Sequence, residues 1–237
     1  LLTAPLNALM GPLTQVVIPS VNRARARGHR PDAVLLRVQN ALGIVVVWLY
    51  AVTAGLATWL IPTVLGSQWV SSVTVFQILA LGGAFWAFSR VSYWSFVSGN
   101  LGRHLLLYNI VTKSLATALV IAAAGLGVEA VAWAVSIGLA VSWPINLVWL
   151  SRVAGQRSMA FFASGGHLLL AGAVAFGVCV TMMELGEGTQ APGVALLAAL
   201  GGTAAFIGVL LPGRTMRSTL VDEVRVVKKA LARTSPA

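Results

Sequence analysis

Two basic residues lie inside long apolar stretches of the sequence, where charge is rare. Arg90 falls between Thr74 and Ser98, and Lys113 falls between Leu105 and Gly127. A charged side chain within a membrane is energetically costly, which makes such residues functional candidates. Arg offers a fork of donors and Lys a point charge, a combination that suits phosphate groups. The two residues therefore predict an anion-binding site.

The spacing of these two cations predicts that they lie at the same depth. Each is roughly a dozen residues from the centre of the short turn, Gly99 to Arg103, that joins their stretches. In antiparallel helices that rise 1.5 Å per residue, both would lie about 10 to 15 Å from the cytoplasmic surface. We therefore expect Arg90 and Lys113 to share one cavity. The apolar stretches contain no acidic residue, so the expected counter-charge is a substrate anion, a lipid headgroup or a carboxylate elsewhere in a longer chain.

Neighbouring polar and aromatic residues extend this candidate site. Tyr93 and Trp94 follow Arg90 on one side of a helix, and Asn109 precedes Lys113 by one turn. The predicted substrate-binding residues are Arg90, Lys113, Tyr93, Trp94 and Asn109. The alternative is snorkelling, because both long side chains can reach the inner interface from this depth. The sequence leaves both interpretations open.

Three other polar features have structural and functional interpretations. Pro144, with Ser142 and Asn146 beside it, predicts a helix kink that is either purely structural or used for gating. His167 is either a proton relay or a hydrogen-bonded residue near the interface. Gln77 is expected at the interface or bonded to a neighbouring helix.

The composition is that of a membrane protein. Of 237 residues, 58% are hydrophobic and 9% charged, and the mean hydropathy of +0.87 exceeds that of soluble domains. The net charge of +10 would suggest nucleic acid in a soluble chain, but here the basic residues lie in short loops. We expect no nucleic-acid partner. Because Cys179 is the single cysteine and lies inside an apolar stretch, we expect neither a disulfide nor a metal site. We also expect no cofactor.

Six apolar stretches have the length of about 20 residues that a membrane-spanning helix needs. A weaker seventh stretch at the start is interrupted by prolines. The predicted spans are 1–20, 41–65, 74–98, 105–127, 130–150, 161–183 and 193–211. The fold prediction is an all-α polytopic membrane helix bundle of about seven transmembrane helices, one lobe of a two-lobed transporter. Residues 213–237 are predicted as a basic cytoplasmic tail with an amphipathic helix, the alternative being a solvated tail.

Charge alternates along the loops between these spans. The basic loops are Arg23 to Arg37, Arg103 with His104, and Arg152 to Arg157, whereas the loops between them are uncharged or acidic. Because Lys and Arg in short loops stay on the cytoplasmic side, the C-terminus is predicted to be cytoplasmic. Seven spans that start outside, in a chain that begins at Leu1 without a methionine, predict a fragment with a missing N-terminal lobe.

The residues that enzymes use are scarce. Outside the tail, the acidic residues are Asp32, Glu129, Glu184 and Glu187, too few near the membrane surface for the acid–base pairs that glycosyl transfer needs. Neither a phosphate-binding loop nor a nucleophile elbow nor a zinc-ligand spacing is present. We therefore expect that this chain is not an enzyme.

Four segments, in this order, carry a resemblance to a known family. They are PLTQVVIPS at 12–20 with the basic loop that follows, LGSQW at 65–69, FQILA at 76–80 and SGNLGR at 98–103. Their order and the spacing of the spans, over about residues 5 to 212, resemble Wzx-type oligosaccharide flippases. These flippases form the polysaccharide transporter branch of the multidrug/oligosaccharidyl-lipid/polysaccharide exporter superfamily.

The resemblance implies the C-terminal half of a bacterial inner-membrane transporter. It would move a polyprenyl-diphosphate-linked oligosaccharide to the outer leaflet by alternating access, for surface polysaccharides such as the O-antigen of lipopolysaccharide. The implied partners are the lipid-linked oligosaccharide, the lipid bilayer, the missing N-terminal lobe, and a polysaccharide polymerase with other assembly proteins. The family motifs do not include Arg90 or Lys113, whose predicted role depends on depth and charge.

Three other functions stay open. A cation-coupled drug or solute antiporter of the same superfamily would need buried carboxylates in the missing lobe. A membrane-embedded polysaccharide polymerase or glycosyltransferase would need a large, charged outer loop, whereas these outer loops are short and nearly uncharged. A non-transporting scaffold would leave Arg90 and Lys113 facing lipid.

Overall fold

The computed structural model describes residues 4–28, 31–186 and 192–211, and this part of the chain is helical, without a strand. The helices are α1 (Ala4–Ala26), α2 (Asp32–Gly55), α3 (Ala57–Leu65), α4 (Ser72–Ser98), α5 (Gly102–Ala123), α6 (Val128–Ala154), α7 (Ser158–Leu185) and α8 (Pro192–Leu210). Single 3-10 turns at Ser67–Trp69 and Ala124–Leu126 follow α3 and α5. The predicted all-α bundle is confirmed. The predicted tail helix within 213–237 lies outside the described residues.

Six helices in the described ranges are long and apolar enough to cross a membrane: α2, α4, α5 with its following turn, α6, α7 and α8. They overlap the six strongly apolar stretches of the sequence. α1 is not one of the six, because prolines and its terminal arginines lower its hydropathy. The chain is thus a polytopic helical bundle.

The stretch from Ala41 to Leu65, predicted as one span, is divided in the structure. α2 begins earlier, at Asp32, and ends at Gly55, after which α3 starts a new helix. The Gln77 side chain donates a hydrogen bond of 3.1 Å to the Ala54 carbonyl at this break. A neighbouring polar side chain can satisfy backbone groups that a break exposes. Hydropathy alone does not reveal the division, since both sides of it are apolar.

Small residues bring the helices close together. A Cβ at Gly82 would lie 3.0 Å from the Ser136 Cα, so α4 and α6 touch nearly backbone to backbone. A Cβ at Gly202 would lie 3.1 Å from the Ala175 carbonyl oxygen, which shows a similar approach of α8 to α7. Without a hydrophobic driving force between helices in lipid, such close contact is a main source of association.

The basic loops meet at one end of the bundle. The Arg25 guanidinium, near the end of α1, donates to the Ser98 carbonyl at the end of α4. The Arg157 backbone N–H, in the loop between α6 and α7, donates to the Asp32 carboxylate at 3.3 Å. These contacts bring the three basic loops to the same end of the bundle, as the predicted topology requires.

Candidate functional site

A cavity of about 490 Å³ lies between α4, α5 and α6. Its lining includes Arg90 and Tyr93 of α4 together with Asn109 and Lys113 of α5. Four of the five predicted substrate-binding residues therefore lie around one space. The turn between α4 and α5 makes these helices antiparallel neighbours, which is why residues distant in sequence meet there.

Arg90 is held between two aromatic rings. Its guanidinium carbon lies 5.5 Å from the centre of the Trp86 ring and 5.2 Å from that of Tyr93. These rings lie one turn before and one turn after Arg90, and helical spacing puts all three side chains on one face. Each contact at this distance contributes about 0.5 to 2 kcal/mol. The side chain is thus oriented before any ligand binds.

The guanidinium of Arg90 retains an unused donor. Its Nε atom is buried and has no hydrogen-bond partner. A buried donor without a partner costs about 1 to 3 kcal/mol, and more when the group is charged. Snorkelling places the charged head in water and does not account for a buried, unpaired N–H. An acceptor supplied by a ligand would account for it.

Lys113 provides the second cation from a more open position. Its side chain is exposed on α5, a helix that packs mainly against α6 and leaves apolar residues such as Leu106 and Ile110 uncovered. Among the described residues that line the cavity there is no carboxylate. The cavity is therefore positively charged and lacks an internal counter-ion.

A polar junction at Tyr108 joins α5 to α6 beside these cations. The Tyr108 hydroxyl donates to the Ser142 carbonyl at 3.2 Å, and the Thr112 hydroxyl donates to the Tyr108 carbonyl at 2.9 Å. The amide of Asn146 lies next to the Tyr108 hydroxyl. Asn146 is 1% exposed, lines the cavity, and its Oδ1 has no hydrogen-bond partner. The cavity lining thus contains an unpaired acceptor, the Asn146 Oδ1, in addition to the unpaired donor of Arg90.

Sequence reasoning did not assign this junction to the site. The available signal was the four-residue spacing of Tyr108 and Thr112. It matches the spacing of Asn109 and Lys113, each of which is the next residue along the chain, and it indicates a neighbouring strip of the same helix face. Asn146 was interpreted only as a neighbour of the helix kink.

Asn109 lines the cavity and already uses one of its two amide N–H donors. Its Nδ2 donates to the Leu105 carbonyl at 2.9 Å, within α5. The prediction that Asn109 binds substrate therefore concerns its carbonyl oxygen and its second amide N–H, since the other N–H is engaged in the helix.

Trp94 lies away from this cavity. Its side chain is 0% exposed within the hydrophobic core, and its indole N–H donates to the Thr14 hydroxyl of α1 at 3.0 Å. The cavity lining does not include it. Helical spacing indicates which residues share a face with Arg90, but it cannot show that the edge of this face turns towards α1 instead of α5.

The remaining candidates make structural contacts. The His167 Nε2 lies 2.7 Å from the Val209 carbonyl oxygen of α8, and Gln77 contacts α2 as described above. Pro144 lies within α6 and lines a separate cavity of about 660 Å³ near the basic loops, together with His104 and Arg152. Neither His167 nor Gln77 lies at the cavity of Arg90.

Residues 1–74 match a family model described as "Polysaccharide biosynthesis protein". The match covers α1 to α3 and the first residues of α4, and it ends before the cavity residues begin. No curated protein and no solved structure matches the chain significantly. Together with the six membrane-length helices, the family match supports a multi-pass membrane protein of polysaccharide synthesis.

Proposed function

We propose that this chain is one lobe of a flippase that moves a polyprenyl-diphosphate-linked oligosaccharide across the cytoplasmic membrane. The observation that carries the proposal is the Arg90 guanidinium, oriented by two rings with its Nε–H unpaired, in a cavity that also contains Lys113. The family match to polysaccharide biosynthesis supports a substrate from that chemistry.

The diphosphate is the part of such a substrate that resists passage through a bilayer. Its oxygens carry negative charge and lose hydration when they enter an apolar environment. Arg90 would replace part of that hydration with its N–H donors, and Lys113 would add a mobile positive charge. The apolar polyprenyl chain would stay in the surrounding lipid.

Transport then requires the cavity to open to each side in turn. In two-lobed transporters this happens through rigid movement of one lobe against the other around a fixed site. The cavity lies next to α5, whose outer face is not covered within the described part of the chain. We propose that a second lobe, supplied by a longer chain, faces this helix.

The lining of the cavity favours this proposal over its two rivals. A cation-coupled antiporter binds its ion through carboxylates, and a glycosyltransferase needs a general acid or base. The described lining provides neither an Asp nor a Glu, so in either rival the carboxylates would have to come from another part of a longer chain. The proposed function contains no catalytic step and no cofactor.

Replacing both cations tests the role of the cavity. In cells whose surface polysaccharide depends on this protein, the double variant Arg90→Gln with Lys113→Gln should lower surface polysaccharide at least tenfold. A hydrogen bond to a charged group contributes about 1.5 to 3 kcal/mol, which corresponds to a factor of ten or more. Lipid-linked intermediates should accumulate in the inner leaflet.

The matched control is Arg103→Gln, which removes an exposed basic residue outside the cavity. Both proteins should reach the membrane in equal amounts. Unchanged surface polysaccharide in the double variant, at normal protein level, would exclude the proposed role.

The sidedness is tested by labelling introduced cysteines in intact cells. Ser67 and Arg157 are both exposed but lie in loops of opposite predicted sides, whereas Cys179 is buried. A membrane-impermeant thiol reagent should label Ser67→Cys at once, and Arg157→Cys only after permeabilisation. The reverse order would overturn the proposed orientation, and the unmodified chain serves as the background control.

A further inference from the structure

Two unpaired buried atoms of opposite hydrogen-bonding character belong to residues that line the cavity. The Nε–H of Arg90 is a donor without an acceptor, and the Oδ1 of Asn146 is an acceptor without a donor. Buried polar atoms in folded proteins nearly always have partners. We propose that the missing partner of both atoms is a glycosyl phosphate, and that Asn146 recognises the sugar adjacent to the phosphate. This inference rests on the proposed flippase function and assigns a specificity residue to it.

The orientation of the Asn146 amide follows from the polar junction. The Tyr108 hydroxyl donates its proton to the Ser142 carbonyl, which leaves the hydroxyl oxygen free to accept a hydrogen bond. The Asn146 amide lies beside that oxygen, so its N–H group is the part that faces Tyr108. Its Oδ1 is then left to face another group.

A phosphate alone does not satisfy both atoms. Ionised phosphate oxygens accept hydrogen bonds, so they suit the N–H groups of Arg90 and the ammonium of Lys113. They offer no donor to the Oδ1 of Asn146. A sugar hydroxyl or the amide N–H of an acetylated amino sugar supplies that donor. A phosphate joined directly to a sugar presents both kinds of group within one small unit.

The arrangement of the cavity fits a unit of this size. Tyr108 lies against Ser89, the residue before Arg90, and also against Asn146, so the two helices that carry the unpaired atoms meet at this junction. The volume of about 490 Å³ falls within the range of small-ligand sites, about 300 to 1,000 Å³. It accommodates the sugar next to the diphosphate but not a long glycan. Selectivity at this site therefore concerns the first sugar.

The test measures binding of two lipids to the purified full-length protein. The probes are polyprenyl diphosphate and the same lipid carrying one N-acetylhexosamine. Asn146→Leu should weaken binding of the sugar-bearing lipid about tenfold, the usual effect of one buried hydrogen bond, and leave binding of the sugar-free lipid unchanged. Arg90→Gln should weaken binding of both lipids. Gln77→Leu, which removes a membrane-embedded amide outside the cavity, should alter neither.

The outcomes separate this inference from the proposed function. If Asn146→Leu weakens binding of both lipids equally, or of neither, Asn146 does not recognise the sugar. If Arg90→Gln weakens both while Asn146→Leu changes neither, the inference fails and the flippase proposal stands. If Arg90→Gln leaves both affinities unchanged, the flippase proposal itself fails.

A second variant covers the case in which Asn146→Leu does not accumulate in the membrane. Asn146→Thr retains a hydroxyl acceptor in a smaller side chain. It should weaken binding of the sugar-bearing lipid by less than about tenfold and leave the sugar-free lipid unaffected. An equal loss for both lipids would overturn the inference.

Discussion

Two cavities of similar size lie on opposite faces of α4, and their linings differ in chemistry. The cavity of about 490 Å³ between α4, α5 and α6 contains Arg90, Lys113 and Asn146. The other, of about 600 Å³, lies between α2, α4 and α7 and is lined mainly by apolar side chains such as Val47 and Phe176. Volume alone would not separate them. Of these two cavities, only the first has charged side chains among its described lining residues.

The difference extends to how polar groups are paired. In the apolar cavity, Gln77 is bonded to the Ala54 carbonyl of α2. In the polar cavity, the Nε of Arg90 and the Oδ1 of Asn146 lack protein partners. A paired polar group stabilises the fold, whereas an unpaired buried one reduces stability unless a ligand completes it. The comparison therefore indicates that the polar cavity, and not the apolar one, is suited to bind a ligand.

The largest expected effect is that of Arg90→Lys. A lysine keeps the charge but loses the planar fork, the Nε–H and the stacking on Trp86 and Tyr93. Export of surface polysaccharide should fall about tenfold or more, as expected for the loss of a charge-assisted hydrogen bond.

The paired change is Lys113→Arg, made in the same cells. The proposed role of Lys113 requires only a positive charge, and its exposed side chain leaves room for the larger guanidinium. Export should therefore stay within about twofold of wild type. An equal loss of export in Arg90→Lys and Lys113→Arg would contradict the proposal that the oriented guanidinium of Arg90 has a role that another cation cannot fill.

The next effect concerns the contact of α4 and α6 beside the two cavities. Gly82→Val would push a side chain into Ser136, whose hydroxyl donates to the Ile78 carbonyl at 2.7 Å. The free energy of unfolding should fall by about 1 to 3 kcal/mol, the usual cost of overpacking. Thermal unfolding in detergent measures this change.

Gly166→Val is the control for that measurement. A Cβ at Gly166 would meet no atom within 4 Å, so this substitution should alter the melting temperature little. A similar loss in both variants would mean that the cost arises from the helix backbone instead of the contact with Ser136.

The smallest expected effect is that of Gln77→Leu in the apolar cavity. It removes the hydrogen bond to the Ala54 carbonyl, and such bonds between membrane helices contribute about 0.6 kcal/mol on average. Stability should fall slightly while export stays at the wild-type level. A large loss of export would show that the apolar cavity takes part in function.

Much of the fold could be predicted because the membrane imposes simple rules. Apolar length predicted the membrane helices, and loop charge anticipated that the basic loops lie together, as the Arg25 and Arg157 contacts show. The break after Gly55 could not be predicted, since hydropathy is continuous across it. In the structure, the break is accompanied by a hydrogen bond from Gln77, which lies 22 residues further along the chain than Gly55.

The candidate site was predictable only in part. Depth along antiparallel helices brought Arg90 and Lys113 to one cavity, because helical rise is nearly constant. The position of Trp94 depended on the side of α4 that α1 occupies, which no local pattern encodes. Asn146 lies near Arg90 because α6 packs against both α4 and α5, a tertiary relation that a single sequence does not reveal.

The hydrogen bond between Thr14 and Trp94 has a consequence for biogenesis. It joins residues 80 positions apart, and at about 5 to 20 residues per second their synthesis is separated by roughly 4 to 16 s. The contact of Arg25 with the end of α4 is delayed by a similar time. α1 is therefore made before α4 but can take its final position only after α4 has emerged from the ribosome.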